Sequence, residues 1–326
     1  MDNRFDHPKR GSVEGMHQQR TSFPPQLTSA RLPSQDTPRR PTPDLMRGRE
    51  LEHPFWEGPP AGLLEQEDAR AEWLGSLRAQ ARRCPEDAFF SHVTAARLWG
   101  IPLPPHLEHD PLTDLTRPSP FHASEGVGIR GHTLVVQPGD VLPRRVVRVT
   151  TLARTWCDLA PLLTEEELLV AGDFLIWRRR PPLVRVSRDA LLAQVERHPG
   201  RIAAHKRRAV LPLLSDRSDS APESTLRYRF LRAGLPEMRV NTAVRSRDGQ
   251  LIATPHLQFA EFRLAVEYAG QPWRANTDHW HLDRTISPWL DLAGWRVTAA
   301  TALDLADSRA LIARVETRLR QRGWSG

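Results

Sequence analysis

The stretch that most constrains this chain is a short alternation of apolar and polar residues that ends at a glycine. Leu264, Val266 and Tyr268 alternate with polar or small residues, and Gly270 follows. A period of two is typical of a strand that buries one face. Glu267 is therefore expected at the exit of a central strand, where an α/β fold usually places its functional groups.

Capping and turn signals predict the elements around this strand. In the C-terminal part they predict helices over residues 221–233 and from Asp304 onward, and strands over residues 238–245, 251–259 and 296–301. The unit around Gly294 is predicted as a helix end, a glycine cap and a new strand.

The middle of the chain predicts a small sheet between helices. A helix is expected over residues 69–82, and Ser91 is expected to cap a short helix that ends at Gly100. Short strands are predicted over residues 114–117, 128–132, 134–136 and 146–150, with helices from Thr151 and, through a capping-box-like start, from Thr164.

Length and composition bound the class of protein. A chain of 326 residues suggests two domains plus tails, and 39% apolar residues suffice for compact cores. Two cysteines offer no disulfide framework, and no run of 18 apolar residues occurs, so a cytoplasmic protein without a membrane partner is expected. Residues 1–60 are rich in proline and arginine without an apolar period, which predicts a disordered tail.

The strongest concentration of positive charge lies between Arg178 and Arg208. Ten basic and two acidic residues occur there, an excess close to the formal net charge of +7 for the whole chain. Phosphate contacts supply most of the non-specific affinity for nucleic acid, so this segment is a candidate DNA-binding surface. A solvated helical face is the structural alternative. The predicted nucleic-acid-binding residues are Arg178, Arg179, Arg180, Arg207 and Arg208.

Several motifs of the C-terminal part resemble those of one nuclease superfamily. They are residues 220–227, 233–236, 266–270 and 293–295. Together these stretches resemble the very-short-patch-repair type of restriction-endonuclease-like domain, a member of the PD-(D/E)XK nucleases. The resemblance implies an α/β/α domain over residues 216–326.

A second resemblance concerns the region in front of that domain. The short helix before Gly100, with the exit Ile101-Pro102-Leu103-Pro104, is similar to the N-terminal region of AbiEi-type antitoxins. Those proteins join a winged helix-turn-helix to a second domain and act as transcriptional regulators. The resemblance implies an AbiEi-like domain over residues 63–208 with a winged-helix front.

The nuclease resemblance implies a metal site formed by acidic residues. Carried over by position, the helix glutamate is Glu223 and the strand acid is Glu267, and both would be metal ligands. His256 stands where relatives have a strand aspartate, and Ala269 replaces a second aspartate. Asp283 matches the first residue of a later Asp-x-x-Arg pair. The candidate catalytic residues are Glu223, Glu267, His256 and Asp283.

These departures predict a weakened metal site. Replacing two aspartates by imidazole and methyl removes oxygen ligands that Mg²⁺ prefers, and imidazole suits Zn²⁺ or Mn²⁺ better. Mg²⁺ or Mn²⁺ is therefore expected to bind only weakly, with no other cofactor. Both glutamates could also be ordinary solvated surface residues.

Three interpretations of function remain open from the sequence. The first is a DNA-binding protein, regulatory or antitoxin-like, on a nuclease fold whose cleavage activity is lost or much reduced. DNA is then the expected partner, joined by a cognate toxin or another protein. The alternative is a metal-dependent DNA endonuclease in repair or phage defence. The third is a protein-interaction module without a DNA role.

Overall fold

The computed structural model describes residues 63–143, 148–199, 203–269 and 290–326. These residues form a mixed α+β structure of helices and mixed sheets and belong to one compact unit, which spans residues 52–326. Among the described helices, none has the length and apolar character needed to cross a membrane. The predicted tail over residues 1–60 lies outside the described residues.

The elements are numbered in chain order. The helices are α1 (Leu63–Ala81), α2 (His92–Trp99), α3 (Pro105–Glu108), α4 (Leu152–Leu159), α5 (Glu165–Ile176), α6 (Arg188–Arg197), α7 (Ala204–Val210), α8 (Ala221–Arg232), α9 (Ala302–Ala306) and α10 (Arg309–Arg320). The strands are β1 (Phe89–Phe90), β2 (Thr113–Pro118), β3 (Ile129–Leu134), β4 (Val141–Pro143), β5 (Arg148–Thr150), β6 (Arg239–Val240), β7 (Val244–Arg245), β8 (Leu251–Ala253), β9 (Leu257–Phe259), β10 (Leu264–Tyr268) and β11 (Arg296–Ala300).

The first sheet is built from strands β1 to β5. Its order is β3–β2–β1–β5–β4, with parallel pairs β2–β3 and β1–β5 and antiparallel pairs β1–β2 and β4–β5.

Helix α5 begins as the sequence predicted, because Thr164 accepts a hydrogen bond from the Glu167 N–H while the Glu167 carboxylate accepts one from the Thr164 N–H.

The second sheet positions Glu267, one of the two predicted metal ligands. Its order is β11–β10–β9–β6, in which β10 runs parallel to β11 and antiparallel to β9. Val266 lies opposite Leu257 in the ladder of β9 and β10. The next opposing pair, just beyond the start of β9, is therefore Glu267 and His256.

Strand β10 is buried on both faces, although its alternation predicted one. Leu264 and Val266 join an apolar cluster with side chains of α8 and α10. On the opposite face Ala265 is also fully buried, in a small cluster with Leu290. The small side chain of Ala265 made that face look polar in the sequence, whereas β7, β8 and the segment at Leu290 cover it.

Helix α8 contributes to two apolar clusters. Leu226 and Phe230 pack in the cluster of the second sheet, while Tyr228 packs in the larger cluster formed by the preceding part of the chain. Arg227 reaches across to α5, where its Nη2 donates to Asp173 Oδ2 over 2.7 Å and both side chains are buried. The two parts of the chain are thus joined through a buried ion pair. The boundaries that the sequence predicts between two domains, at residues 208 and 216, remain predictions.

Three predicted elements are divided in the structure. The strand predicted for residues 251–259 is β8 and β9, which belong to different sheets. The strand predicted for residues 238–245 is two strands in different sheets, because Asn241 adopts a left-handed backbone conformation with φ 42°. The predicted C-terminal helix is α9 followed by α10. At the start of α9 the Asp304 carboxylate accepts hydrogen bonds from the Thr301 N–H and hydroxyl, and Asp307 ends the helix in extended conformation. Residues 290–292 are helical, and Gly294 follows them with φ 80° before β11, which confirms the predicted glycine cap.

Candidate functional site

Glu223 is held at the start of α8 by donors from the protein itself. Its Oε2 accepts hydrogen bonds from the Asp219 N–H over 2.9 Å and from Asn241 Nδ2 over 2.6 Å. Its Oε1 accepts one from Ser220 Oγ over 3.0 Å. Only 4% of Glu223 is exposed. Burial raises the pKa of this carboxyl, although nearby His256 and the donated hydrogen bonds act in the opposite direction.

His256 lies between the two glutamates. The antiparallel register places it beside Glu267, and its Nδ1 lies 2.7 Å from Glu267 Oε2. Its Nε2 lies 4.0 Å from Glu223 Oε1. The structure thus brings Glu223, His256 and Glu267 together, as three of the four predicted catalytic residues. The fourth, Asp283, lies outside the described residues.

The Nδ1 atom of His256 has two neighbours that require opposite protonation states. The Tyr268 N–H points to it over 3.1 Å, which needs a lone pair on Nδ1, whereas a hydrogen bond to the Glu267 carboxylate needs a proton there. The contact with Glu267 is shorter and has the length of a charge-assisted bond. We therefore assign the Nδ1 proton to the bond with Glu267.

The arrangement does not fit a divalent cation that requires an octahedral set of oxygens. Both oxygens of Glu223 already accept protein hydrogen bonds, and the imidazole fills the space between the two glutamates. Of the four carboxylate oxygens of these two glutamates, only Oε1 of Glu267 is buried without a hydrogen-bond partner among the described residues. In the part of the chain that the structure describes, no group of three or more His, Cys, Asp or Glu residues is placed to hold a metal ion.

The five predicted DNA-binding arginines differ in their surroundings. Arg180 is 2% exposed, its Nη2 donates to the Trp99 carbonyl, and its guanidinium lies 3.9 Å from the centre of the Phe174 ring. Burial lowers the pKa of Arg180 to about 10. Arg207 is also 2% exposed and donates to carbonyl oxygens of Cys157 and His198. These two guanidinium groups therefore lie inside the protein and not on its surface.

The other three predicted arginines are more accessible. Arg179 and Arg208 are exposed, and Arg178 is partly buried. Arg179 forms an ion pair with Asp219 over 3.0 Å, and Arg208 donates to the Pro199 carbonyl over 3.1 Å. Several of the positive charges in this segment therefore interact with other groups of the protein itself. A count of charges along the sequence could not indicate this.

A second polar cluster, which the sequence analysis missed, lies between α2 and the first sheet. The rings of His92 and His132 stack with their centres 4.0 Å apart, and His132 Nε2 lies 2.8 Å from buried Asp114. Burial and the neighbouring His132 lower the pKa of His92 to about 3. His92 is also the first residue of α2 and has φ 47°, a backbone conformation that is uncommon for a residue with a side chain.

The start of α2 differs from the prediction that Ser91 caps it. Ser91 occupies the N-cap position, but its hydroxyl lies 2.7 Å from His92 Nδ1 and 2.5 Å from Thr116 Oγ1. Asp114 of the adjacent strand accepts the Thr94 N–H instead, over 3.2 Å. A tertiary contact thus replaces the local cap, because β2 brings a carboxylate to the helix N-terminus.

Asn241 is the site residue that sequence reasoning missed most directly. It holds Glu223 through Nδ2 and also donates to the Arg217 carbonyl over 2.8 Å. An asparagine within a proposed strand is itself a turn signal, since asparagine tolerates left-handed backbone. That signal could have divided the strand predicted over residues 238–245.

Comparisons of the chain with protein-family models, curated proteins and solved structures found no match.

Proposed function

We propose that this protein binds DNA in a regulatory or antitoxin-like role and that its nuclease-like site has lost the ability to cut. In this proposal the part before residue 208 is an AbiEi-like domain with a winged-helix front. The part after residue 216 is a restriction-endonuclease-like domain. A cognate toxin or another protein is a further proposed partner, and the cytoplasm is the proposed location.

One observation carries the loss of cleavage. His256 occupies the space between Glu223 and Glu267, and its Nδ1 lies 2.7 Å from the Glu267 carboxylate. The carboxylates that would bind a cation in an active relative are here neighbours of an imidazole, and Glu223 accepts three hydrogen bonds from the protein. Any binding of Mg²⁺ or Mn²⁺ is proposed to be weak.

The positive charge of the chain supports the proposal that DNA is the partner. The formal net charge is +7, and arginine side chains are exposed in both halves of the chain. A basic surface attracts the phosphate backbone at long range, and the resulting affinity falls as salt rises.

Cleavage and retardation of the same DNA test this proposal. Supercoiled plasmid and mismatched duplex are incubated with the full chain and Mg²⁺ or Mn²⁺, and binding is scored in parallel by gel retardation. We expect retardation without cutting. Glu267→Ala should retard DNA equally, and cutting by the wild type that this variant loses would contradict the proposed loss of activity.

The second candidate function is a metal-dependent DNA endonuclease. The observation in its favour is Oε1 of Glu267, which is buried and has no hydrogen-bond partner among the described residues. Such an oxygen could bind a cation if residues outside the described ranges, such as Asp283, supplied further ligands. Cutting that depends on Glu267 in the assay above would establish this function.

A further inference from the structure

A basic cleft lies beside the Glu223 site. It has a volume of about 410 Å³ and is open to solvent. Among the described residues that line it, three of seven are arginine and none is acidic. The lining residues are Ser215, Arg217, Arg227, Met238, Arg239, Val240 and Thr242.

Two of these arginines are free to bind a ligand. Arg217 and Arg239 are exposed, and within the described residues their guanidinium groups make no hydrogen bond or ion pair. Arg227 is different, because its Nη1 donates to the Leu213 carbonyl and its Nη2 to Asp173. The cleft therefore combines one fixed arginine with two arginines whose donors are available.

Ser215 adds a hydroxyl group to the lining. Its Oγ accepts a hydrogen bond from the Arg217 N–H over 3.2 Å, so its proton remains available to an acceptor in the cleft. Guanidinium groups and a hydroxyl, without a carboxylate in the lining, form a donor set that suits a phosphate group.

The cleft and the Glu223 site share Asn241. This residue stands between Val240 and Thr242 of the lining, and its Nδ2 donates both to the Arg217 carbonyl over 2.8 Å and to Glu223 Oε2 over 2.6 Å. Asn241 thus links the backbone at Arg217, which lines the cleft, to the Glu223 carboxylate.

We propose that this cleft binds a phosphate of the DNA backbone through Arg217 and Arg239. This inference rests on the proposed DNA binding and gives it a location. The cleft is better suited than the segment from Arg178 to Arg208, where Arg180 and Arg207 are buried and Arg179 pairs with Asp219. Arg227 lines the cleft as a fixed residue and stays paired with Asp173.

A pair of double variants tests the location. Arg217→Gln with Arg239→Gln removes the two free guanidinium groups of the cleft. Arg232→Gln with Arg296→Gln is the matched control, because both of these arginines are exposed, lie outside the cleft lining and change the net charge equally. Binding of a fluorescent duplex to the full chain is followed by anisotropy over a range of salt concentrations.

The cleft variant is expected to bind DNA roughly tenfold more weakly, with a slope of log affinity against log salt that is smaller by about 0.9 for each lost phosphate contact. The control should retain wild-type affinity to within about twofold. Equal affinities of cleft variant and control would overturn the location while leaving DNA binding intact. Thermal unfolding of each variant, expected to match the wild type, excludes misfolding as the cause.

Thermal unfolding with inorganic phosphate or with ATP tests whether the cleft binds the phosphate of a small ligand or that of the DNA backbone. If the wild type does not bind DNA, the proposed function fails. Stabilisation by either small ligand that the cleft variant loses would then still support a phosphate site and overturn DNA as its source. Absence of both DNA binding and stabilisation would overturn the site itself.

Discussion

The imidazole Nδ1 of His256 lies 2.7 Å from Oε2 of Glu267, at the position where the resemblance to nucleases implies a carboxylate. Antiparallel pairing of β9 and β10 creates this contact, since residues that oppose each other across a ladder extend to the same face. The contact places a nitrogen base between the carboxylates of Glu223 and Glu267.

Replacing His256 by aspartate should therefore create a binding site for a hard cation. His256→Asp would place a third carboxylate between Glu223 and Glu267, and Mg²⁺ should bind at least about tenfold more tightly than to the wild type, a difference of about 1.4 kcal/mol. Isothermal titration with Mg²⁺ measures the affinity. His256→Asn is the uncharged control of equal size, and equal affinity of all three proteins would contradict this account of the site.

Breaking the buried ion pair between Asp173 and Arg227 should destabilise the protein far more than breaking a partly exposed pair between the same helices. Asp173→Asn leaves the buried Arg227 guanidinium without a counter-charge and should lower the free energy of unfolding by about 3–5 kcal/mol. Urea unfolding measures the change. Glu166→Gln removes the partner of Arg229 on the partly exposed side of the same helix pair, and about 1 kcal/mol or less is expected. Similar losses in both variants would count against this distinction.

Asn241 should be sensitive both to its side chain and to its backbone conformation. Asn241→Gly keeps the left-handed backbone accessible but removes the donor to Glu223, so a loss of about 1–3 kcal/mol in the free energy of unfolding is expected. Asn241→Ala removes the same donor and also forces an alanine into the left-handed backbone conformation. This strain should lower the free energy of unfolding further, by about 1–2 kcal/mol. Chemical unfolding of the two variants compares them. An alanine variant as stable as the glycine variant would show that the backbone is not held at φ 42°.

The stability of the protein should fall in mild acid because of His92. Its pKa is lowered in the folded protein to about 3 from an ordinary value of 6.5, so the unfolded chain binds the proton more readily. This contribution to stability is present above pH 6.5 and is lost as pH falls toward 3. Between pH 7 and pH 5 the loss should be about 2 kcal/mol.

Urea unfolding at pH 5, 6 and 7 measures this dependence. His92→Asn is the matched variant, because asparagine tolerates the left-handed backbone at this position and does not titrate. The difference between wild type and variant reports the titration of His92 together with its interaction with His132. A difference that stays constant over this pH range would show that His92 is readily protonated in the folded protein.

Local sequence patterns determined the elements that carry the candidate site. The capping box at Thr164, the helix of Glu223, the strand of Glu267 and the glycine turn at Gly294 all follow from residues that are neighbours in the chain. Helix caps and strand alternation depend on short-range hydrogen bonds and on which residues are apolar, and these are visible in the sequence. Glu223 and Glu267 could therefore be placed on a helix and a strand without the structure.

Only the tertiary structure decided what surrounds these residues. The register of β9 against β10 brings His256 to Glu267, and the turn at Asn241 supplies a donor to Glu223. Packing of the chain also buries the guanidinium group of Arg180 in the interior. In each case the partner is distant in sequence, and the free energy of a polar group depends on whether that partner replaces the water it loses. Charge and motif spacing identify the residues, while long-range packing determines which of them remain available to a ligand.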